Sequence, residues 1–176
     1  MSEQPMNNAS VKDLLLRARA GLKINDLQKE AHLIFYLGLV SENKKQYQKA
    51  IKFFKTFYKY ARQLEDKVGM CFALNRIAVN YYNISDYEQS LRNHRKALEI
   101  MDSENIFTSY YNLGIVLRKL RLIDESLEEF TKAVDWAIER EDRESECLVY
   151  GQIALSYYEG KDYKSSLIYF DVSFYY

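Results

Sequence analysis

Apolar side chains recur at helical spacing along this chain, and four stretches of the pattern align with one another. They are IFYLGLVSENKKQYQKAIKFF from Ile34, LNRIAVNYYNISDYEQSLRNH from Leu74, YYNLGIVLRKLRLIDESLEEF from Tyr110 and YGQIALSYYEGKDYKSSLIYF from Tyr150. Each reads as two helices joined by a short polar turn, KKQY, ISDY, RLID or GKDY. Three of these turns end on Tyr47, Tyr87 or Tyr163, rings expected to plug the hairpin corner. Ahead of the first repeat, Val11 to Lys23 sets Leu14, Leu15, Ala18 and Leu22 on one stripe. That predicts the closing helix of a degenerate leading repeat, or an N-terminal cap.

Small residues mark the register. In the first helix of each pair stands Gly38, Ala78, Gly114 or Ala154, at intervals of 40, 36 and 40 residues. Twelve residues on comes Ala50, Ser90, Ser126 or Ser166, and four further on Phe54, His94, Phe130 or Phe170. Two antiparallel helices approach closely only where one side chain is small, and a ring from the second helix can then fill the remaining space. The expected fold is therefore all-α, with successive helix pairs nested through this small-into-large lock.

These residues resemble the tetratricopeptide repeat family, and the third repeat shows the pattern best, with Tyr110, Leu113, Gly114, Ser126, Phe130 and Ala133 in its places. Leu117 and Ser41 stand where Tyr81 and Tyr157 supply an aromatic, Phe57 replaces a usual Ala, and no proline closes a repeat. The long period fits the missing proline, because the second helix can run on for about one extra turn. The junctions ARQLEDKVGMC from Ala61 and AIEREDRESEC from Ala137 match each other, with a partial third copy around Asn25-Asp26. The resemblance is to the forty-residue variant of LGN-type adaptors and kinesin light chains. It implies a right-handed α-solenoid of about four repeats.

The expected organisation is a disordered start (1–10), a capping helix (11–24), and repeats over 27–64, 67–101, 104–140 and 143–176. The last repeat ends at SLIYFDVSFYY, leaving Tyr169, Phe170, Phe174, Tyr175 and Tyr176 without a covering helix. A fragment of a longer solenoid, or self-association through this aromatic C-terminal edge, would account for that.

Composition agrees with helix: one proline, Pro5, and six glycines among 176 residues. The 25 basic and 25 acidic side chains cancel, so no global field favours nucleic acid or an anionic membrane. The longest apolar run, Leu33 to Val40, is too short to insert in a bilayer, and no secretory leader pattern opens the chain. Cys71 and Cys147 lie far apart at packing positions, which suits reduced thiols and a cytoplasmic setting.

Catalysis finds no support in the residues, and no cofactor or metal is expected. His32 and His94 are far apart, His94 occupying the lock position. The carboxylates from Glu139 to Glu146 read as a solvated junction, and no phosphate loop, zinc signature or calcium loop occurs.

What remains is binding. In such repeats the first helices line a concave wall, and the register places His32, Phe35, Leu39 and Glu42 there from the first, then Phe72, Asn75, Val79 and Tyr82 from the second. Thr108, Tyr111, Ile115 and Arg118 come from the third, and Leu148, Gly151, Leu155 and Tyr158 from the fourth. Aromatic anchors suit a protein or peptide partner, although Phe35, Phe72 and Tyr111 fit the packed core equally. Asn75 can both donate to and accept from a peptide backbone, its plain alternative being a water-facing amide. Gly151, inside a helix, is explained by close approach of a ligand or helix, or by neutral drift. The resemblance implies an adaptor within a larger assembly, of the motor, cytoskeletal or ciliary kind.

Chaperone-binding members of the family grip a terminal carboxylate with two Lys, one Arg and two Asn. Here those places hold Phe35, Leu39, Asn75, Thr108 and Asn112, with no cation to neutralise the charge. A peptide ending in Glu-Glu-Val-Asp should therefore show no saturable heat in titration calorimetry; tight binding would contradict the register.

Overall fold

The computed structural model describes Leu16, residues 27–100 and residues 106–175, with side chains as far as Ser173. The expected disordered start, the capping helix but for Leu16, the partial junction at Asn25-Asp26, residues 101–105, Tyr176 and the side chains of Phe174 and Tyr175 lie outside this description. All regular structure among the described residues is helical: α1 (Leu27–Asn43), α2 (Tyr47–Gln63), α3 (Lys67–Asn83), α4 (Tyr87–Ile100), α5 (Ile106–Lys119), α6 (Ile123–Glu139), α7 (Arg143–Glu159) and α8 (Tyr163–Tyr175). The chain divides into two compact units, one ending at Ser85 and one beginning at Asp86. In the first, α2 packs on α1 and α3; in the second, each helix from α4 to α8 packs on the next.

The turns explain why the chain reverses so regularly. Lys45, Glu65 and Ser85, then Arg121, Glu141 and Lys161, take left-handed φ values of 55–67° at steps of twenty residues. The next amide bonds back five residues, from Gln46 to the Ser41 carbonyl at 2.8 Å, from Asp66 to Ala61 at 2.9 Å and from Asp142 to Ala137 at 3.0 Å. This is the Schellman closure of a helix, with a charged or polar residue where glycine is usual. Gly160, read from sequence as a lone turn glycine, has φ −76°, and Lys161 beside it takes the left-handed position. At four of these six turns an aspartate then opens the following helix. Asp66 accepts from the Gly69 amide at 2.8 Å, Asp142 from Ser145 at 3.1 Å and Asp162 from Ser165 at 3.1 Å. Ser145 and Ser165 also donate their hydroxyls, which holds the Asp142 and Asp162 carboxyls below the usual range.

At the two glycines the packing lock has the expected partners. Gly38, Ala78, Gly114 and Ala154 are all buried, and a Cβ placed on Gly38 would stand 2.5 Å from Phe54 Cε1. On Gly114 it would stand 2.7 Å from Phe130 Cε1. Ser126 adds a polar bond, its hydroxyl donating to the Gly114 carbonyl at 2.8 Å. In the first unit Phe54 joins Ala50, Ile51 and Ile77; Phe57, in place of the family's alanine, packs with Ala31 and Ala73. In the second unit Phe130 gathers Ala133, Val134, Val149 and Ile153. His94 at the lock position is 1 % exposed, and burial pushes its imidazole down to about 4 from 6.5.

The C-terminal helix departs from expectation. Tyr169 and Phe170 are half-buried, the Tyr169 ring stacked 5.4 Å from Tyr157 and 6.2 Å from Tyr150. Among the described residues of α8 the exposed large apolar side chains are Tyr163, Leu167 and Ile168, while the ring of Tyr169 turns inward onto α7. Tyr163 likewise does not plug its corner; its ring meets Tyr158 edge-on at 5.6 Å.

Two outcomes follow for stability. Gly114→Ala should destabilise by about 1–3 kcal/mol in urea denaturation, since Phe130 cannot retreat from a packed core, whereas Gly151→Ala, whose Cβ meets nothing within 4 Å, should stabilise by up to about 1 kcal/mol. For His94 the unfolded chain binds a proton near 6.5 and the folded chain only near 4, so its contribution is full above 6.5 and is lost as pH falls toward 4. That amounts to roughly 3 kcal/mol; His94→Phe should make the melting temperature less steep across that window.

Candidate functional site

The odd-numbered helices bury one side and leave part of the other open. On α1, His32 is exposed while Phe35 turns inward, 4.9 Å from the Phe57 ring and 5.7 Å from Phe54. Leu39 packs beside it on the cluster around Phe54. On α3, Phe72 is 57 % exposed, and Asn75, Val79 and Tyr82 are half-buried. Glu42 meets Arg76 across the two helices at 3.3 Å. Tyr36 and Val68 add open apolar surface that the register did not single out. Each stands one helical turn from a named position, Tyr36 from His32 and Val68 from Phe72. The missed signal was a bulky side chain four residues from a named position.

In the second unit, Thr108 is exposed, but Tyr111 and Ile115 pack against the cluster around Phe130, with Tyr111 6.1 Å from that ring. Arg118 is buried and committed. Its guanidinium donates to the Gln152 carbonyl at 3.1 Å and to Gln152 Oε1 at 2.7 Å, and lies 3.5 Å from Glu159. Glu159 in turn holds Arg121 at 3.1 Å. Burial raises the Tyr111 hydroxyl, against the pull of Arg118 and a hydrogen bond with Gln152. Arg118, named above on the concave wall, is buried here and ties α5 to α7. The same repeat positions carry Glu42 and Arg76, and both pairs are separated by 34 residues. That shared interval could have exposed the network in sequence.

On α7 the open side chains are Leu148, Leu155 and Tyr158, 49 %, 37 % and 58 % exposed, with Gly151 between them facing open space. Among the described residues no cluster of three or more His, Cys, Asp or Glu is placed to hold a metal, and no helix is long and apolar enough to cross a membrane. Neither Cys71, which is buried, nor Cys147, which is half-buried, is in a disulfide.

Helix pairs closed by Schellman turns and locked by a ring on a small residue define a tetratricopeptide-like helical solenoid. Residues 107–137, the repeat in which the sequence pattern is fullest, match the tetratricopeptide repeat family. No curated protein sequence matches the chain. In fold it is similar to the apo form of RapI, with 20 % identity, a TM-score of 0.84, and coverage of 93 % of this chain and 47 % of that one. A kinesin light chain from Podosopora anserina aligns with a TM-score of 0.78 at 12 % identity, covering 94 % and 86 %. The Rap conjugation gene regulator of plasmid pLS20, solved in complex with a Phr peptide, aligns at 0.70 with 20 % identity, covering 86 % and 43 %. The chain thus spans about half the length of the Rap proteins it resembles.

Arg118→Met should leave the Gln152 side-chain oxygen without its donor and Glu159 with Arg121 alone inside the second unit. Urea unfolding followed by Trp136 fluorescence should show a loss of roughly 2–4 kcal/mol; a loss under about 1 kcal/mol would mean the network is dispensable.

Proposed function

We propose that this chain is a protein-binding module that holds a segment of a partner against the open sides of its odd-numbered helices. The observation that carries the reading is the exposure of large apolar side chains on one side of helices whose other side is core: Tyr36, Val68 and Phe72 in the first unit, Leu148, Leu155 and Tyr158 in the second. Such side chains bury much area with few rotors to freeze, which is how binding hot spots are built. His32 stands one turn from Tyr36 and Asn75 one turn from Phe72, while Phe35, Leu39, Tyr111 and Ile115 pack into the clusters behind and Arg118 is held by Gln152. The peptide held by the Rap regulator in its structure supports binding of a peptide by this fold. Charged groups brought together, Arg118, Glu159 and Arg121, are spent on one another, so the reading is adaptor rather than enzyme. A motor, cytoskeletal or ciliary setting is supported only by likeness of fold to a kinesin light chain.

A second reading is favoured by α8. Leu167 and Ile168 are 64 % and 53 % exposed beside Tyr163, an apolar edge suited to self-association. Light scattering separates the two readings, because Leu167→Lys with Ile168→Lys should yield a smaller particle only if copies join there.

Phe72→Ala in the first unit, and Leu155→Ala with Tyr158→Ala in the second, should each change stability by less than about 1 kcal/mol, since these side chains are half exposed. Proteins captured by the wild-type chain from a lysate should fall at least several-fold with one or both variants. Unchanged capture by both would overturn the reading.

A further inference from the structure

We infer that α7 takes an amphipathic helix of the partner, with a bulky apolar side chain seated over Gly151 and a Lys or Arg of that helix facing Glu144. The inference rests on the binding reading above and narrows it to one element and one partner conformation. Leu148, Gly151, Gln152 and Leu155 stand at i, i+3, i+4 and i+7, the four residues that border a hole when one helix receives a knob from another. At Gly38 and Gly114 the space above the glycine is filled by a ring of this chain. Above Gly151 there is nothing within 4 Å, so the hole reaches backbone depth between two exposed leucines. A glycine there costs about 1 kcal/mol of helix stability relative to alanine, and a seated knob supplies what the chain itself does not.

The polar groups of α7 argue for a helix over an extended strand. Gln152 Oε1 accepts from Arg118, and the Gln152 carbonyl accepts from Arg118 and from the Ser156 hydroxyl at 3.0 Å. An extended peptide along Leu148, Gly151 and Leu155 would leave its amides and carbonyls unpaired against apolar surface, whereas a helix brings its own backbone bonds. Charge sets the rest. Glu159, beyond Leu155, is held by Arg118 and Arg121, while Glu144 stands exposed one turn before Leu148. Glu144 lies seven residues from Gly151, about 10 Å along the axis. A cation about seven residues from the knob on the partner helix would therefore meet it.

Two peptide display libraries of equal length test this on the full chain: one helical, with an apolar stripe and randomised flanks, the other extended, with proline at every third position. Helical binders are expected, carrying a basic residue about seven positions from a large apolar one. Gly151→Leu should weaken them at least tenfold while the Trp136 fluorescence melt stays at or above wild type, and Gly151→Ala should weaken them less. Glu144→Lys should weaken them too, and exchanging the peptide's basic residue for Glu should restore affinity. Binders drawn from the proline library, or helical binders that respond to Phe72→Ala and not to Gly151→Leu, would overturn this inference and leave the binding reading standing. No binder from either library would overturn both.

Discussion

Everything in this molecule depends on how closely a second helix can approach a first. Where Gly38 faces Phe54 and Gly114 faces Phe130, a single added carbon would enter the ring, so the separation of the two helices is set by the absence of a side chain. Close-packed interiors tolerate little change in volume, and this contact fixes the register of everything beyond it. With the ring held there, Ile51 and Ile77 close on Phe54 in the first unit, and Val134, Val149 and Ile153 close on Phe130 in the second.

The turns serve the same contact. A helix that overran by one residue would rotate its neighbour by about 100° and carry the ring off the glycine. Termination is correspondingly strict, a left-handed residue every twenty positions followed in four of the turns by an aspartate that caps the next helix. Using Lys45, Glu65 or Glu141 rather than glycine in that conformation costs energy locally. The Schellman bonds and the aspartate caps offset it.

Between the locks, polar pairs fasten one first helix to the next. Glu42 with Arg76, and Arg118 with Gln152 and Glu159, occupy equivalent repeat positions and use different chemistry, an ion pair in one unit and a guanidinium on an amide in the other. Such pairs remove charge from the open side of the helices. What they leave there is apolar and aromatic, and that gives the binding proposal its chemical character.

Sequence by itself determined the helix pairs, their turns, the lock residues and the tetratricopeptide-like fold, because each is written locally: a period of 3.6, a small residue, a ring sixteen positions later. Which side chains on those helices remain open was decided by tertiary structure alone. Phe35 is drawn in by Phe57, a ring the family pattern does not have, while Phe72, one turn earlier in its own repeat, stays out. Arg118, placed on the wall by the register, is held by Gln152 and Glu159, more than thirty residues on. Burial is a property of what packs opposite, and one strand of sequence holds no record of its neighbour across the fold.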